Sequence, residues 1–310
     1  MKHFLTFFMA ASAVASPLAA ADNAPFSIAG TSQSFWRLDE AVKAAGDGQV
    51  TILIAPGTFK DCAIVTAGDV TFKAATHGTA IFDGATCEGK AALVLRGRSA
   101  TVDGIIFQNM RVADRNGSGI RLEHGDLTVV NSMFRNSEQG ILTADDPQGQ
   151  ITIDRTTFSG LGGCPDGMCS HSIYIGGYGK LTVTRTRFER GTGGHYVKSR
   201  AAIAEISDNS FDDTQGHETN YMIDLSAGAV GTITRNTFVQ GKSKENHSAF
   251  IAIGAEARSN RSVGLTITDN DASMAVGVTW PSIFVADWTH EPLKVSANRL
   301  GKGLASFELR

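Results

Sequence analysis

A phenylalanine returns six times at similar intervals in the middle of this chain, each time followed by a polar or glycine-bearing turn. The six are Phe107, Phe134, Phe158, Phe188, Phe211 and Phe238. The intervals between them are 27, 24, 30, 23 and 27 residues, which is too irregular for a helical repeat of fixed length. They fit one coil of a β-solenoid with loops of variable length. Because a single repeat of short strands cannot bury its apolar face alone, we expect the repeats to stack on one another.

The first twenty or so residues have the pattern of a secretory signal peptide. Lys2 and His3 precede an apolar stretch over residues 4–14, and small residues follow over 15–21. Pro17 interrupts this stretch, which is also shorter than the about 20 apolar residues that span a membrane. We therefore predict a signal peptide over residues 1–21, a single domain over 22–310, no insertion into a membrane, and a periplasmic or secreted location.

The charge of the chain argues against two classes of partner. The formal net charge is −3 at pH 7, and charges of both signs are scattered along the sequence. A nucleic-acid binder or a protein bound to an anionic membrane would concentrate basic residues on one stretch. We expect neither partner. We also expect a monomer, because a capped solenoid has no intrinsic need to associate.

The four cysteines of an exported chain favour disulfides. Of the three possible connectivities, we favour Cys62 with Cys87 and Cys164 with Cys169. A zinc site is the alternative, but no His or Cys lies at zinc-finger spacing. We therefore predict no metal centre from these residues.

The segment before the repeats has a distinctive order. Residues 35–45 place Leu38, Val42 and Ala45 on one helical stripe, an apolar strand follows over 50–54, and a Pro56-Gly-Thr-Phe turn comes next. This order resembles the amino-terminal cap of the pectin-lyase-like, right-handed parallel β-helix proteins. The resemblance implies an all-β solenoid with a short capping helix, which would cover the unpaired edge of the first coil.

Short apolar segments recur about 14 to 17 residues before each phenylalanine or its equivalent. They begin at Gly119, Gly140, Ser172, Tyr196, Met222, Phe250 and Ile283. We expect them to stack in register as one parallel sheet. Asn131, Asn209 and Asn236 lie just ahead of phenylalanines, and we expect them in the tight turns between sheets, paired with backbone groups or with one another.

Alternation along these segments gathers reactive side chains on one outer strip. If Ile173 and its equivalents point inward, then Tyr174, Lys198 and Asp224 point outward, one above another at the strand spacing of about 4.8 Å. Arg200 lies two residues beyond Lys198 and should share that face. We expect these positions to face solvent.

Two histidines extend the strip. His171 and His195 occupy equivalent positions at the starts of adjacent segments, so we expect their rings to be stacked neighbours. The phrases around these histidines, around Asp224 and at Gly254-Ala-Glu256 resemble a recurring set in exported bacterial β-helix proteins. The wider superfamily includes polysaccharide lyases, uronan epimerases and glycoside hydrolases, so the resemblance implies a carbohydrate polymer as partner.

The mixture of cations, phenol and imidazoles favours chemistry on a uronic-acid polysaccharide. Elimination and epimerisation both begin by removing the C5 proton, which requires a cation to neutralise the adjacent carboxylate. Arg200 is the best candidate because its planar fork grips a carboxylate at two points. Lys198 would assist or act as base, and Tyr174, His171 or His195 would act as base or acid. We therefore predict a polysaccharide lyase that needs no cofactor.

Other interpretations stay open. A glycoside hydrolase would use two carboxyl groups, for which Asp224 and Glu256 are the candidates. We otherwise place Asp224, Glu256 and Tyr196 among substrate-binding residues. Calcium assistance is possible but less favoured, since the strip offers few oxygen ligands. A non-catalytic glycan-binding or structural solenoid is the third class.

Overall fold

The computed structural model describes Met1 and residues 24–310, which form a parallel β-solenoid. Apart from Met1, the predicted signal peptide lies outside the described residues. Each coil contributes one strand to each of three sheets, so that strands of successive coils pair in parallel. Two strands ahead of the first coil, Phe26–Ile28 and Ser34–Phe35, extend the first sheet by antiparallel pairing. No helix of the described part is long and apolar enough to cross a membrane.

The three sheets are named first, second and third in the order in which a coil visits them. The first sheet contains Phe26–Ile28, Ser34–Phe35, Gln49–Ile54, Asp69–Ala74, Ser99–Asp103, Asp126–Val130, Asp146–Asp154, Tyr178–Thr184, Ile203–Ser207, Val230–Thr234, Thr266–Thr268 and Lys294–Ser296. The second contains Gly57–Phe59, Ala80–Asp83, Ile105–Gln108, Met133–Arg135, Thr157–Ser159, Arg187–Glu189, Ser210–Asp212, Thr237–Gln240, Asp271–Met274 and Arg299–Leu300. The third contains Ala63–Val65, Ala91–Leu95, Ser118–Leu122, Gln139–Thr143, Ile173–Ile175, Val197–Ser199, Ile223–Leu225, Ala249–Ile253, Ser282–Asp287 and Leu304–Leu309. The predicted turn at Pro56 proves to lead directly into the first strand of the second sheet.

The recurring phenylalanines form one column inside the solenoid, as predicted. Strand pairing aligns Phe107 with Phe134 and Phe188 with Phe211 in the second sheet. Neighbouring rings of the six lie 4.8 to 5.0 Å apart and are nearly parallel. Phe82 extends the column at 5.7 Å from Phe107. Such offset ring pairs contribute about 0.5–1.5 kcal/mol each beyond the area that they bury, so the column both stabilises the coils and fixes their register.

The turn from the first to the second sheet is built around buried asparagines. Asn209 donates from Nδ2 to Oδ1 of Asn236 at 2.9 Å, and the same pattern continues to Asn270 and Asn298. This confirms the stacking role predicted for Asn209 and Asn236. Asn131 differs, because it occupies the preceding left-handed position at φ 52°, where its side chain contacts the neighbouring turn.

One helix, Leu38–Ala45, packs beside the first strands. Its buried face includes the predicted stripe of Leu38, Val42 and Ala45. The carboxylate of Asp61 accepts a hydrogen bond from the Leu38 amide at 2.9 Å, which satisfies one of the free donors at the start of a helix. Only the short 3₁₀ segment Pro165–Gly167 adds further helical structure to the described residues.

Both predicted disulfides are present. Cys62 is bonded to Cys87, and Cys164 is bonded to Cys169. The second bond closes a loop that lies directly before the strand carrying Tyr174. It therefore restrains the chain next to the predicted site.

Candidate functional site

The outer face of the third sheet carries the predicted column of side chains. Pairing aligns Tyr174 with Lys198, and Lys198 with Asp224. The column continues to Leu142 on one side and Ala252 on the other. The register predicted from the sequence is therefore the register of the structure.

Four charged groups in and beside this column form an ionic cluster, consisting of Lys198, Arg200, Asp224 and Glu256. The amine of Lys198 contacts Glu256 Oε1 and lies 3.6 Å from Asp224 Oδ2. Arg200 donates from a terminal guanidinium nitrogen to Glu256 Oε2 at 2.6 Å. One carboxylate, that of Glu256, is thus held by two cations, one at each oxygen.

Tyr174 lies against both cations of the ionic cluster. The Arg200 guanidinium is 5.0 Å and the Lys198 amine 5.5 Å from the centre of its ring, within the range of cation–π attraction. The ring is half-buried. Tyr174 is therefore an ionisable group with access to solvent beside the paired cations.

A loop explains why much of the cluster is buried. After the strand Ala249–Ile253, the chain turns at Gly254 and crosses over earlier coils. The Glu256 amide donates to the carbonyl of Ser226 at 3.1 Å, and the Asn260 side chain donates to the carbonyl of Arg200 at 3.0 Å. The Glu256 carboxylate is thereby positioned above the cations while its side chain stays 43% exposed.

The prediction that Lys198 and Asp224 face solvent is wrong. Lys198 is 6% and Asp224 2% exposed. Both point outward from the sheet, as alternation predicts, but the surrounding side chains and the Glu256 loop cover them. Arg200 and Tyr174 stay partly accessible.

The two carboxyl groups of the cluster have pKa values shifted in opposite directions. Burial raises the pKa of Asp224 to about 7, against the opposing charge of Lys198, and Asp224 Oδ1 is a buried oxygen without a hydrogen-bond partner among the described residues. The pKa of Glu256 is lowered. Burial alone would raise this pKa, but hydrogen bonds and charge from Lys198 and Arg200 outweigh the effect of burial. Near neutral pH, Asp224 holds a proton part of the time and Glu256 is ionised.

Three rings form a ladder beside the cluster. His171 and His195 stack at 4.8 Å, and Tyr221 stacks on His195 at 5.5 Å. The stacking of the two histidines was predicted from their equivalent positions, whereas Tyr221 was not included. Trp288, remote in sequence, lies 6.4 Å from Tyr221 and ends the ladder with a second partly exposed aromatic surface.

Burial disfavours the charged form of both histidines. Burial, with the charges of Lys198 and Arg200, lowers the pKa of His171 to about 3, and burial lowers that of His195 well below its usual value. The backbone amide of His195 donates to Nδ1 of His171 at 3.0 Å, so the lone pair of that nitrogen is occupied. His195 Nε2 lies 3.5 Å from Asp224 Oδ2. These contacts suit positioning groups better than free bases.

Tyr196, predicted to contact substrate, lies inside the solenoid. It is 1% exposed, and its ring packs between Phe188 and Phe211. The chain bends as it enters the strand Val197–Ser199, so Tyr196 and Val197 both point inward and simple alternation fails. The Tyr196 hydroxyl donates to Asp213 Oδ1 at 2.8 Å.

No group of three or more potential ligands among the described residues is placed to hold a metal ion. A hollow of about 470 Å³ lies at the carboxyl-terminal end of the second sheet and is lined by residues that include Met274, Val278 and Trp280. We place the candidate site at the ionic cluster because groups whose pKa is shifted by burial together with a specific charge partner are candidates for functional sites, whereas this hollow lacks a few convergent polar groups of that kind.

Comparison with known proteins agrees with this fold. The ORF18 protein of Geobacillus virus E2 has a similar structure, with a TM-score of 0.54 over 87% of this chain and 12% sequence identity. The chain spans 57% of the length of that viral protein, and at this identity the likeness concerns the fold alone. A search among curated proteins finds no match. The family described as "Right handed beta helix region" matches residues 58–279, and the chain therefore belongs to the right-handed β-helix family.

Proposed function

We propose that this protein is an exported enzyme that acts on a uronic-acid polysaccharide laid along the outer face of its third sheet. The proposed reaction is β-elimination or C5-epimerisation. The observation that supports it is the grip of Lys198 and Arg200 on the single carboxylate of Glu256. A uronate carboxylate would take the place of Glu256, whose side chain lies on a loop and is partly exposed.

The two cations would neutralise the uronate carboxylate, so that negative charge can develop on it when the C5 proton leaves. Tyr174, as the phenolate, would accept that proton. In elimination, the electron pair then forms the C4–C5 double bond and the C4–O bond breaks, with the leaving oxygen protonated by Asp224. In epimerisation, Asp224 would instead donate its proton to the opposite face of the C5 carbanion, and no glycosidic bond breaks.

Hydrolysis is the second candidate, because Asp224 and Glu256 differ so clearly in proton affinity. A protonated acid beside an ionised carboxylate is the pattern of glycoside hydrolases. Both groups contact the amine of Lys198, so the two carboxyl groups lie close together, as the acid and the nucleophile of a glycoside hydrolase do. Hydrolysis ranks second because two cations hold the Glu256 carboxylate and weaken it as a nucleophile.

The helix Leu38–Ala45 has a supporting role in this proposal. It packs against the strands of the first coil, and we assign it the function of capping that end of the solenoid. The two disulfides are compatible with an oxidising compartment, as export to the periplasm or medium requires.

The test is a panel of pectic, alginate and glycosaminoglycan polymers. Absorbance of a new C4–C5 double bond reports elimination, reducing ends without it report hydrolysis, and altered sugar composition at constant chain length reports epimerisation. Arg200→Gln should lower turnover at least about 100-fold, which is the scale of losing one donor to transition-state charge. Arg200→Lys keeps the charge without the fork and should recover only part of it.

Arg299→Gln, an exposed arginine of the second sheet, is the matched control and should retain full activity. If no polymer of the panel is modified, or if Arg200→Gln retains wild-type turnover, the proposed function is wrong. Melting temperatures of all variants separate loss of chemistry from loss of fold.

A further inference from the structure

A small hollow that contains Arg121 lies on the outer face of the third sheet, nearer the amino-terminal end. It is lined by Gly89, Lys90, Asp114, Asn116, Arg121 and Leu142 and has a volume of about 140 Å³. Arg121 pairs with Leu142, Leu142 with Tyr174, and Tyr174 with Lys198. Arg121 therefore belongs to the same outward column as the ionic cluster, three strand spacings or about 14 Å from Lys198.

Arg121 has a buried hydrogen-bond donor that no described residue accepts. Its side chain is 24% exposed, and its buried Nε has no hydrogen-bond partner among the described residues. Among the described residues, the guanidinium has one ion pair, in which this same Nε lies 3.6 Å from Glu123 Oε1, beyond hydrogen-bond distance. A guanidinium carries five N–H donors, and leaving donors of a charged group without acceptors in a partly buried site is costly.

The nearest carboxylate is already occupied by other cations. Glu123 accepts from Lys90 at 2.8 Å and from Arg96 at 2.5 Å, and the same two cations also contact Glu88. Glu123 is therefore shared among three cations, and it reaches Arg121 only at 3.6 Å. Since no carboxylate of the described residues fills the fork of Arg121, the fork can take an acceptor from a ligand.

The rest of the hollow suits an acidic sugar. A planar guanidinium matches the two oxygens of a carboxylate, so Arg121 is the group of the hollow that would bind the acid. At the rim, Asp114 can accept hydrogen bonds from sugar hydroxyls. The Asn116 side chain is held by Gln139, which donates to Asn116 Oδ1 at 2.7 Å.

We propose that Arg121 binds the carboxylate of a second uronate of the same polysaccharide chain that occupies the ionic cluster. This inference rests on the proposed function and deepens it. A monosaccharide cannot reach from Lys198 to Arg121, whereas a short oligosaccharide running along the column can. The protein would therefore select polymers that carry carboxylates at two points of this spacing.

The experiment measures the affinity of wild-type protein for oligogalacturonates and oligoalginates, from disaccharide to hexasaccharide, by titration calorimetry. Arg121→Gln is compared with Arg200→Gln and with the exposed control Arg299→Gln. We expect Arg121→Gln to weaken binding of the longest oligosaccharides about tenfold, the loss expected of one charge-assisted interaction. Disaccharide binding should be unchanged by it, while Arg200→Gln should weaken binding at every length.

Equal affinities of wild type and Arg121→Gln for all lengths would overturn the inference and leave the proposed function standing, provided that Arg200→Gln weakens binding. An equal loss at every length would also overturn it, since Arg121 would then act through the fold. If wild-type protein binds none of these oligosaccharides, both the inference and the proposed site are wrong.

Discussion

Replacing Asp224 by asparagine should stabilise the protein at neutral and alkaline pH, although it removes a charged partner of Lys198. Burial raises the pKa of this carboxyl from 3.8 to about 7, so the folded state binds the proton more tightly than the unfolded state. Ionisation of Asp224 therefore opposes folding. The cost is absent below about pH 4, grows as the pH rises, and is complete above pH 7.

The size of the effect follows from the shift. Each pKa unit corresponds to about 1.4 kcal/mol, so a rise of about three units sets an upper limit of about 4 kcal/mol at pH 8. Because the cluster relaxes around a new charge, we expect Asp224→Asn to gain about 2–4 kcal/mol of unfolding free energy over wild type at pH 8. At pH 4, where the carboxyl is protonated and similar in shape to the amide, the two proteins should be equally stable.

Urea unfolding followed by tryptophan fluorescence at pH 4, 6 and 8 measures this difference. Asp208→Asn is the control, because the Arg235 hydrogen bond lowers the pKa of this exposed carboxyl. That variant should lose a small amount of stability as the pH rises, which is the opposite sign. A difference between wild type and Asp224→Asn that stays constant with pH would refute the reasoning, as would a variant less stable than wild type at pH 8. In either case Lys198 would stabilise the Asp224 carboxylate more than burial disfavours it.

Two further predictions concern interior polar groups. Tyr196→Phe removes the hydrogen bond to buried Asp213 and should cost about 1–3 kcal/mol of unfolding free energy, while KM stays at its wild-type value; a changed KM would instead place Tyr196 at the substrate. Asn236→Ala removes the oxygen that accepts hydrogen bonds from the backbone amide and from Nδ2 of Asn209. It should cost about 3–5 kcal/mol of unfolding free energy, since several buried groups lose partners at about 1–3 kcal/mol each. Asn131→Gly, at a left-handed position outside the asparagine stack, should lower the unfolding midpoint in urea much less, and equal losses would contradict the structural role of the stack.

The repeat of the coils could be predicted from the sequence because phenylalanine recurs at the equivalent position of successive coils. The phenylalanine column and the alignment of Tyr174, Lys198 and Asp224 both follow from spacing and alternation. The same reasoning also held the signal for Arg121, which follows glycine and isoleucine in a segment of the same register. Arg121 stands well before the segments that carry the other reactive residues, so the spacing of those residues alone does not single it out.

Burial at the candidate site could not be predicted in the same way. It depends on the loop that carries Glu256 back over two earlier coils, and such a path is set by backbone contacts to Ser226 and Arg200, which leave no periodic trace. The inward turn of Tyr196 has a similar cause. A bend at the start of a strand places two successive side chains on one side, which a period of two does not describe.

The phenylalanine column also bears on how a protein of this kind changes length over evolution. Each central coil presents the face of a phenylalanine ring to the coil on either side, so a duplicated coil would pack against surfaces of matching shape. The outer face of the third sheet can thus lengthen or shorten by whole coils, in steps of about 4.8 Å. Longer or shorter sugar chains could then be accommodated by copying what exists, without a new interior.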